Sequence, residues 1–246
     1  MAPKPPGRLP DVARAGTVVL GRLGYRRTKM SDVSAEAGLS SGAIYTYVES
    51  KEALLHVVLA DFFGHFAGGT PPLPIAAPPI DETLDLVADG LRREAATPLL
   101  RTALESLQAG DEAQRSDDST SNRREDSAHV MNELAGIVDE HYSLVDRLWP
   151  ILAVIEKCSA DIPELYRFYF GRRRRAQLDH FAQYLALRAE RGQVRVLGDA
   201  ALTAQLAIEA VTWHAWHRLE GFDAERFAGD HARPAVIEFV CTALRP

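Results

Sequence analysis

The sequence predicts an all-α protein, with a small three-helix head containing a helix-turn-helix, a connecting fourth helix and a larger helical domain after them. Apolar residues recur at steps of three and four over most of the chain, the period of helices with one buried face. No window has the alternating, β-branched, turn-bounded pattern of paired strands, and no internal repeat is visible. Glycine, proline and hydroxyl residues fall between the periodic stretches, where helices start and stop.

Leu9, Val12, Ala13, Gly16, Val19, Leu20 and Leu23 form the first stripe, with Pro10 tolerated in the opening turn and Gly24 as the stop. A second helix is expected from Thr28, acting as its cap, through Met30, Val33 and Ala37 to Gly38. Ser40 is expected to cap a third short helix reaching Val48. Ser50 then caps a fourth, at about 50–67, with Leu55, Val58, Leu59, Phe62 and Phe66 on its apolar face. Five prolines between Gly68 and Ile80 exclude helix and central strand and mark the boundary between a head at 9–67 and a domain at 81–246.

Helices are expected beyond it at about 81–96 and 98–109. Gly110 to Ser127 lacks large apolar residues and reads as mobile. Val130, Leu134, Ile137, Val138, His141, Leu144, Val145 and Leu148 mark the next helix, which Pro150 breaks or kinks before the apolar run Ile151–Cys158. A long helix from Pro163 to about Glu190, then helices at about 199–220 and 234–244, complete the chain.

Composition bounds the function. At 46% hydrophobic and 25% charged, 246 residues suit one large or two unequal folded domains. No apolar run reaches the length of about 20 residues that a membrane helix needs, and Met1–Pro6 lacks a secretory core, so a cytoplasmic protein with no membrane partner is expected. Cys158 and Cys241 share no metal-ligand spacing and read as buried thiols. The net charge of −6 argues against a polyanion partner, but it conceals a polarity. Residues 1–56 hold eight basic and five acidic side chains, +3, while the other 190 hold 20 and 29, −9. A basic head on an acidic body suits a phosphate-binding module joined to a regulatory domain.

Two short helices joined by Gly38-Leu39-Ser40 have helix-turn-helix dimensions, in which the second helix enters the DNA major groove. Ile44 and Val48, four apart, can bury inward and leave Ser41, Ala43, Tyr45, Thr46 and Tyr47 outside. Tyrosine hydroxyls can reach phosphate oxygens, and Lys51 sits among the free N–H groups that open the fourth helix. Spacing alone would also fit any two short helices with a glycine between them.

Gly24-Tyr25, Thr28, Ala37-Gly38-Leu39-Ser40, Gly42-Ala43-Ile44-Tyr45, Tyr47-Val48 and Ser50-Lys51-Glu52-Ala53-Leu54 together resemble, over about residues 9–60, the N-terminal domain of the tetracycline-repressor (TetR) family of bacterial transcription regulators. The resemblance implies an all-helical homodimer with a DNA-binding head and a C-terminal domain for ligand binding and dimerisation. It assigns DNA contact to Thr28, Lys29, Ser31, Ser40, Ser41, Ala43, Tyr45, Thr46, Tyr47 and Lys51. The sequence departs from many members at Ser31, Ser41, Ala43 and Val48, where Arg, Lys or Arg, a hydroxyl residue and Phe stand, which shifts affinity toward phosphates and toward Arg26, Arg27 and Lys29. Residues Ile155–Leu165, the Arg-rich stretch after them, Arg191–Arg195 and the helix carrying Trp213 and Trp216 are similar to the regulatory domain. In relatives the last two long helices pair between subunits, which puts Phe181, Leu185, Leu206 and Trp213 at the interface.

Ligand contact falls to Trp149, Phe168 and Trp213, against a competing reading as packing residues. The run Arg172–Arg175 fans around a helix and reads as a solvated face. His214 and His217 with Glu220 have a metal-like spacing but no further partners, so no metal and no cofactor are expected. No phosphate loop, His-Glu-x-x-His or Gly-x-Ser-x-Gly motif is present, which argues against an enzyme. The reading is a ligand-responsive dimeric repressor that binds double-stranded operator DNA and is released by a small molecule. A protein of the same fold devoted to ligand binding or assembly, without specific DNA binding, is the alternative.

Overall fold

The computed structural model describes residues 8–69, 71–94, 97–114, 123–219 and 231–246, and among them the protein is all-α, as expected. The chain forms two compact units: residues before 96 with Pro150–Arg172, and Ala96–Trp149 with Arg173–Pro246. The segments 81–94 and 150–172 thus group with the helices of the head.

In the first unit, α1 (Leu9–Arg27) buries Leu9, Val12, Ala13, Gly16, Val19 and Leu20. It packs on α2 (Met30–Glu36) and α3 (Lys51–Phe62). A Cβ at Gly16 would lie 2.5 Å from Val58 Cγ2, so α1 and α3 approach closely there. Helix α3 stops at Phe62, short of the expected 67, and the chain turns so that the buried Phe63 ring lies against Gly90 of α4 (Ile80–Glu94). The proline-rich stretch is pinned to the head: Ile75 N–H donates to Tyr47 O (2.8 Å) and Glu49 N–H donates to Ile75 O (3.0 Å). Ile151–Ile155 and Cys158 are buried in this unit, and a short helix at Pro163–Phe168, α7, meets α4.

The second unit contains α5 (Pro98–Gln114), the part of α6 (Arg123–Ser159) before Pro150, α8 (Arg175–Glu190), α9 (Ala200–Ala215) and α10 (Ala232–Leu244). Helix α8 packs on α5 and α9, and α10 packs on α9. Glu133 Oε1 accepts from Arg188 Nη2 (2.5 Å) and from the Tyr184 hydroxyl (2.9 Å), a buried cation matched by a carboxylate. Asp199 caps α9 by accepting the Leu202 N–H at 2.7 Å.

Several boundaries differ from expectation. Of the stretch expected to be mobile, Gly110–Gln114 and 123–127 are helical, and 115–122 lie outside the described residues. Missing apolar residues remove packing, but they do not remove intrinsic helix propensity. Helix α6 continues through Pro150 instead of breaking. The single long helix expected from Pro163 to Glu190 is instead α7, a wider π-helical stretch at Tyr169–Arg174, and α8. Gly171 and the arginines supply no apolar period there. Helix α9 ends at Ala215, followed by a 3₁₀ turn at His217–Leu219; Glu220, the third member of the metal grouping, lies outside the described residues. Cys158 is buried as expected, whereas Cys241 is half-buried.

Candidate nucleic-acid interface

The turn between α2 and the next element is built on backbone geometry. Gly38 has φ +63°, and Leu39 N–H donates to Ser34 O (2.8 Å), closing α2 with a left-handed cap. The next element is a single 3₁₀ turn, Ala43–Thr46, in place of the expected helix to Val48. Small residues precede it, and Val33, Ile44 and Val48 are fully buried.

The residues assigned to DNA contact separate into two groups. Lys29, Ser31, Ser40, Ser41 and Tyr45 are exposed, and Ala43, Thr46 and Lys51 are partly so. Thr28 and Tyr47 are buried. Thr28 does not cap α2: its hydroxyl donates to Gly24 O (2.7 Å), Lys29 occupies the cap position, and Asp32 Oδ2 accepts the Lys29 N–H (3.0 Å). Tyr47, expected outside, belongs to the core beneath the turn, because the 3₁₀ pitch rotates it inward relative to an α-helix.

The chain reaches this turn through Gly24, whose φ of 75° and ψ of 174° interrupt α1 where the sequence places its stop. Arg22, Arg26, Arg27 and Lys29 lie around this bend, all exposed. Arg26 N–H donates to Asp161 Oδ2 (2.8 Å), and its guanidinium lies 3.5 Å from the same carboxylate. Lys51 Nζ donates to Thr28 O (3.2 Å) and lies 4.6 Å from the Tyr25 ring centroid. The Tyr25 hydroxyl donates to Glu52 Oε1 (2.6 Å); burial and this acidic partner raise the phenol, and the same bond lowers the Glu52 carboxyl. Sequence pattern does not single out Tyr25, Glu52 and Asp161 as a group, because only the fold brings together positions 27 to 135 apart.

The family described as bacterial regulatory proteins, tetR family, matches residues 13–58, the segment that forms this geometry. Residues 13–58 of the head are thus similar to the tetR family. Similar solved structures include AibR in complex with isovaleryl coenzyme A and operator DNA, at 14% identity and TM-score 0.50, covering 97% of this chain and 98% of that one. Another is a TetR-like transcriptional regulator from Rhodococcus sp. RHA1, at 14% identity and TM-score 0.48, covering 97% and 96%. No curated protein matches the chain.

Besides the head, the chain carries an apolar cavity of about 20 Å³ in its second unit, bordered by Leu100, Ile137, Glu140, His141, Gln177 and Phe181, among others. Trp149, Phe168 and Trp213, the residues expected to contact ligand, do not line it. Trp213 is 44% exposed instead. Phe181 and Leu185, expected between subunits, are buried inside the unit, whereas Leu206 is 52% exposed. The helical period cannot say which apolar stripe faces the chain's own core and which faces a partner. His141 sits in the apolar stripe read from sequence, and that placement was the available signal for this site. No grouping of three metal-binding side chains occurs among the described residues, and no described helix is long and apolar enough to cross a membrane.

Proposed function

We propose that this protein is a cytoplasmic, dimeric, DNA-binding transcriptional regulator, a repressor that leaves a palindromic operator when a small uncharged molecule enters its second unit. One observation carries the reading: the tetR-family turn presents Lys29, Ser31, Ser40, Ser41 and Tyr45 outward over a rigid base of Val33, Ile44 and Val48. Small polar residues let the backbone approach base edges, and Arg22, Arg26, Arg27 and Lys29 supply charge for phosphates. Lys51, fastened to Thr28 O, orders the bend and keeps further N–H groups for a phosphate. The described complex of AibR with a coenzyme A ester and operator DNA supports joining the two activities in one chain. Dimerisation is assigned to the outward stripe of α9, Leu202, Leu206 and Trp213, which the helical period aligns.

The rival reading, a ligand-binding or assembly protein without specific DNA recognition, is favoured by the neutral Ser31 and Ser41 and by the inward bond of Lys51. Footprinting the purified protein on the intergenic DNA beside its own gene decides between them. A protected palindrome with half-sites about 34 Å or a multiple apart supports regulation. Salt-sensitive binding with no preferred site establishes the rival.

A further inference from the structure

Helix α6 places Glu140 and His141 side by side on the cavity of the second unit. His141 is only 9% exposed, and its Nε2 is buried without a hydrogen-bond partner; Glu140 Oε2 is in the same condition. Buried polar atoms are ordinarily paired, so the orphaned His141 Nε2 marks a place for an absent partner on this cavity; burial raises the Glu140 carboxyl toward its neutral form, whose Oε2–H can donate to the same partner. The remaining polar atoms are engaged. Glu140 Oε1 accepts the Leu99 N–H (3.2 Å), and the Gln177 amide nitrogen lies 2.9 Å from His141 Nδ1. That amide nitrogen can only donate, so Nδ1 accepts and the neutral ring carries its proton on Nε2. Burial keeps the ring neutral, pulling its pKa down to about 4, with the Arg174 charge acting in the same direction. Arg174 is itself paired with Glu209, and the residues lining the cavity include no lysine or arginine.

We propose that this cavity takes a small, uncharged, largely apolar molecule bearing one accepting oxygen, a carbonyl in type, to which His141 Nε2–H donates. The proposal rests on reading the second unit as the effector-binding part and specifies its ligand class. An anion is disfavoured because it would enter an apolar site beside Glu140 with no lining cation to balance it. At about 20 Å³ the space is far smaller than such a molecule, so the ligand must part walls contributed by α5, α6, α8 and α9.

The test uses three probes of matched skeleton, acetophenone, ethylbenzene and benzoate, titrated calorimetrically into the full-length protein without DNA. Acetophenone is expected to bind at least tenfold more tightly than ethylbenzene, with benzoate weakest. His141→Leu should bring acetophenone down to the ethylbenzene level while ethylbenzene still binds. Gln177→Glu guards against a folding artefact in that variant: its carboxylate would accept from Nδ1–H, leave Nε2 an acceptor, and abolish the acetophenone advantage with little change of shape. Equal affinity for acetophenone and ethylbenzene, tighter benzoate, no binding by any probe, or an advantage surviving both substitutions would overturn the proposal. A gel shift with acetophenone present separates the two readings: operator binding that persists with the probe bound refutes the effector role and leaves the ligand class standing.

Discussion

Replacing Gly24 by alanine should cost about 3 kcal/mol of stability, through two effects that the structure makes explicit. At φ 75° and ψ 174° the backbone occupies a region that is nearly exclusive to glycine, and a side chain there costs roughly 1–3 kcal/mol. A Cβ would also lie 2.9 Å from the carbonyl oxygen of Lys157, a backbone atom that cannot rotate away. The chain would have to shift where α6 passes the bend, disturbing the neighbouring Arg26–Asp161 bond. A loss of about 3 kcal/mol changes the folding constant roughly 150-fold, which urea unfolding with linear extrapolation resolves easily. Gly42→Ala is the control, because Gly42 has an ordinary φ of −83° and nothing lies within 4 Å of an added Cβ. It should stay within about 0.5 kcal/mol of wild type. If Gly24→Ala matches this control, the bend is not held as described, and the reasoning about how α1 orients the basic turn fails with it.

Lys51→Ala should make the salt dependence of DNA binding shallower by roughly one unit and, through loss of the bond to Thr28 O, lower stability by about 1–2 kcal/mol; an unchanged slope in a salt titration would remove Lys51 from the interface. The two tyrosines should part company: Tyr47→Ala should destabilise the fold by about 3 kcal/mol, whereas Tyr45→Ala should weaken DNA binding and leave thermal unfolding nearly unchanged. Leu206→Glu combined with Trp213→Ala should sediment as a monomer, and a wild-type protein that is itself monomeric at micromolar concentration would contradict the assigned surface. His141 has a folded pKa of about 4, below its ordinary 6.5, so under pH 6.5 the unfolded chain takes up a proton that the folded chain refuses. Stability should therefore fall between about pH 6.5 and pH 4, by as much as about 3 kcal/mol, and acid titration of His141→Leu should show a flatter decline over that window.

The local rules carried far. Periodicity with the glycine and proline signals determined the all-α class, the buried stripe of α1, the bend at Gly24, the cap at Gly38 and the helix-free run at 71–79, because each depends on residues within a turn or two of one another. The tetR-like head was equally legible, since its turn is set by small residues, glycines and a few anchors in fixed order. Tertiary structure decided what periodicity leaves degenerate. A stripe at helical spacing shows that a face is buried, but Phe181 and Leu185 turned to their own core while Leu206 and Trp213 stayed outside. A 3₁₀ turn in place of a helix took Tyr47 inward, a change of pitch too small for sequence pattern to register. Arg26 met Asp161, 135 positions away, and Gln177 met His141, 36 positions away, so neither the support of the basic bend nor the tautomer at the cavity could be read along the chain. Helix and turn propensities act over a few residues, whereas the pairing of distant polar groups depends on which surfaces pack once those helices exist.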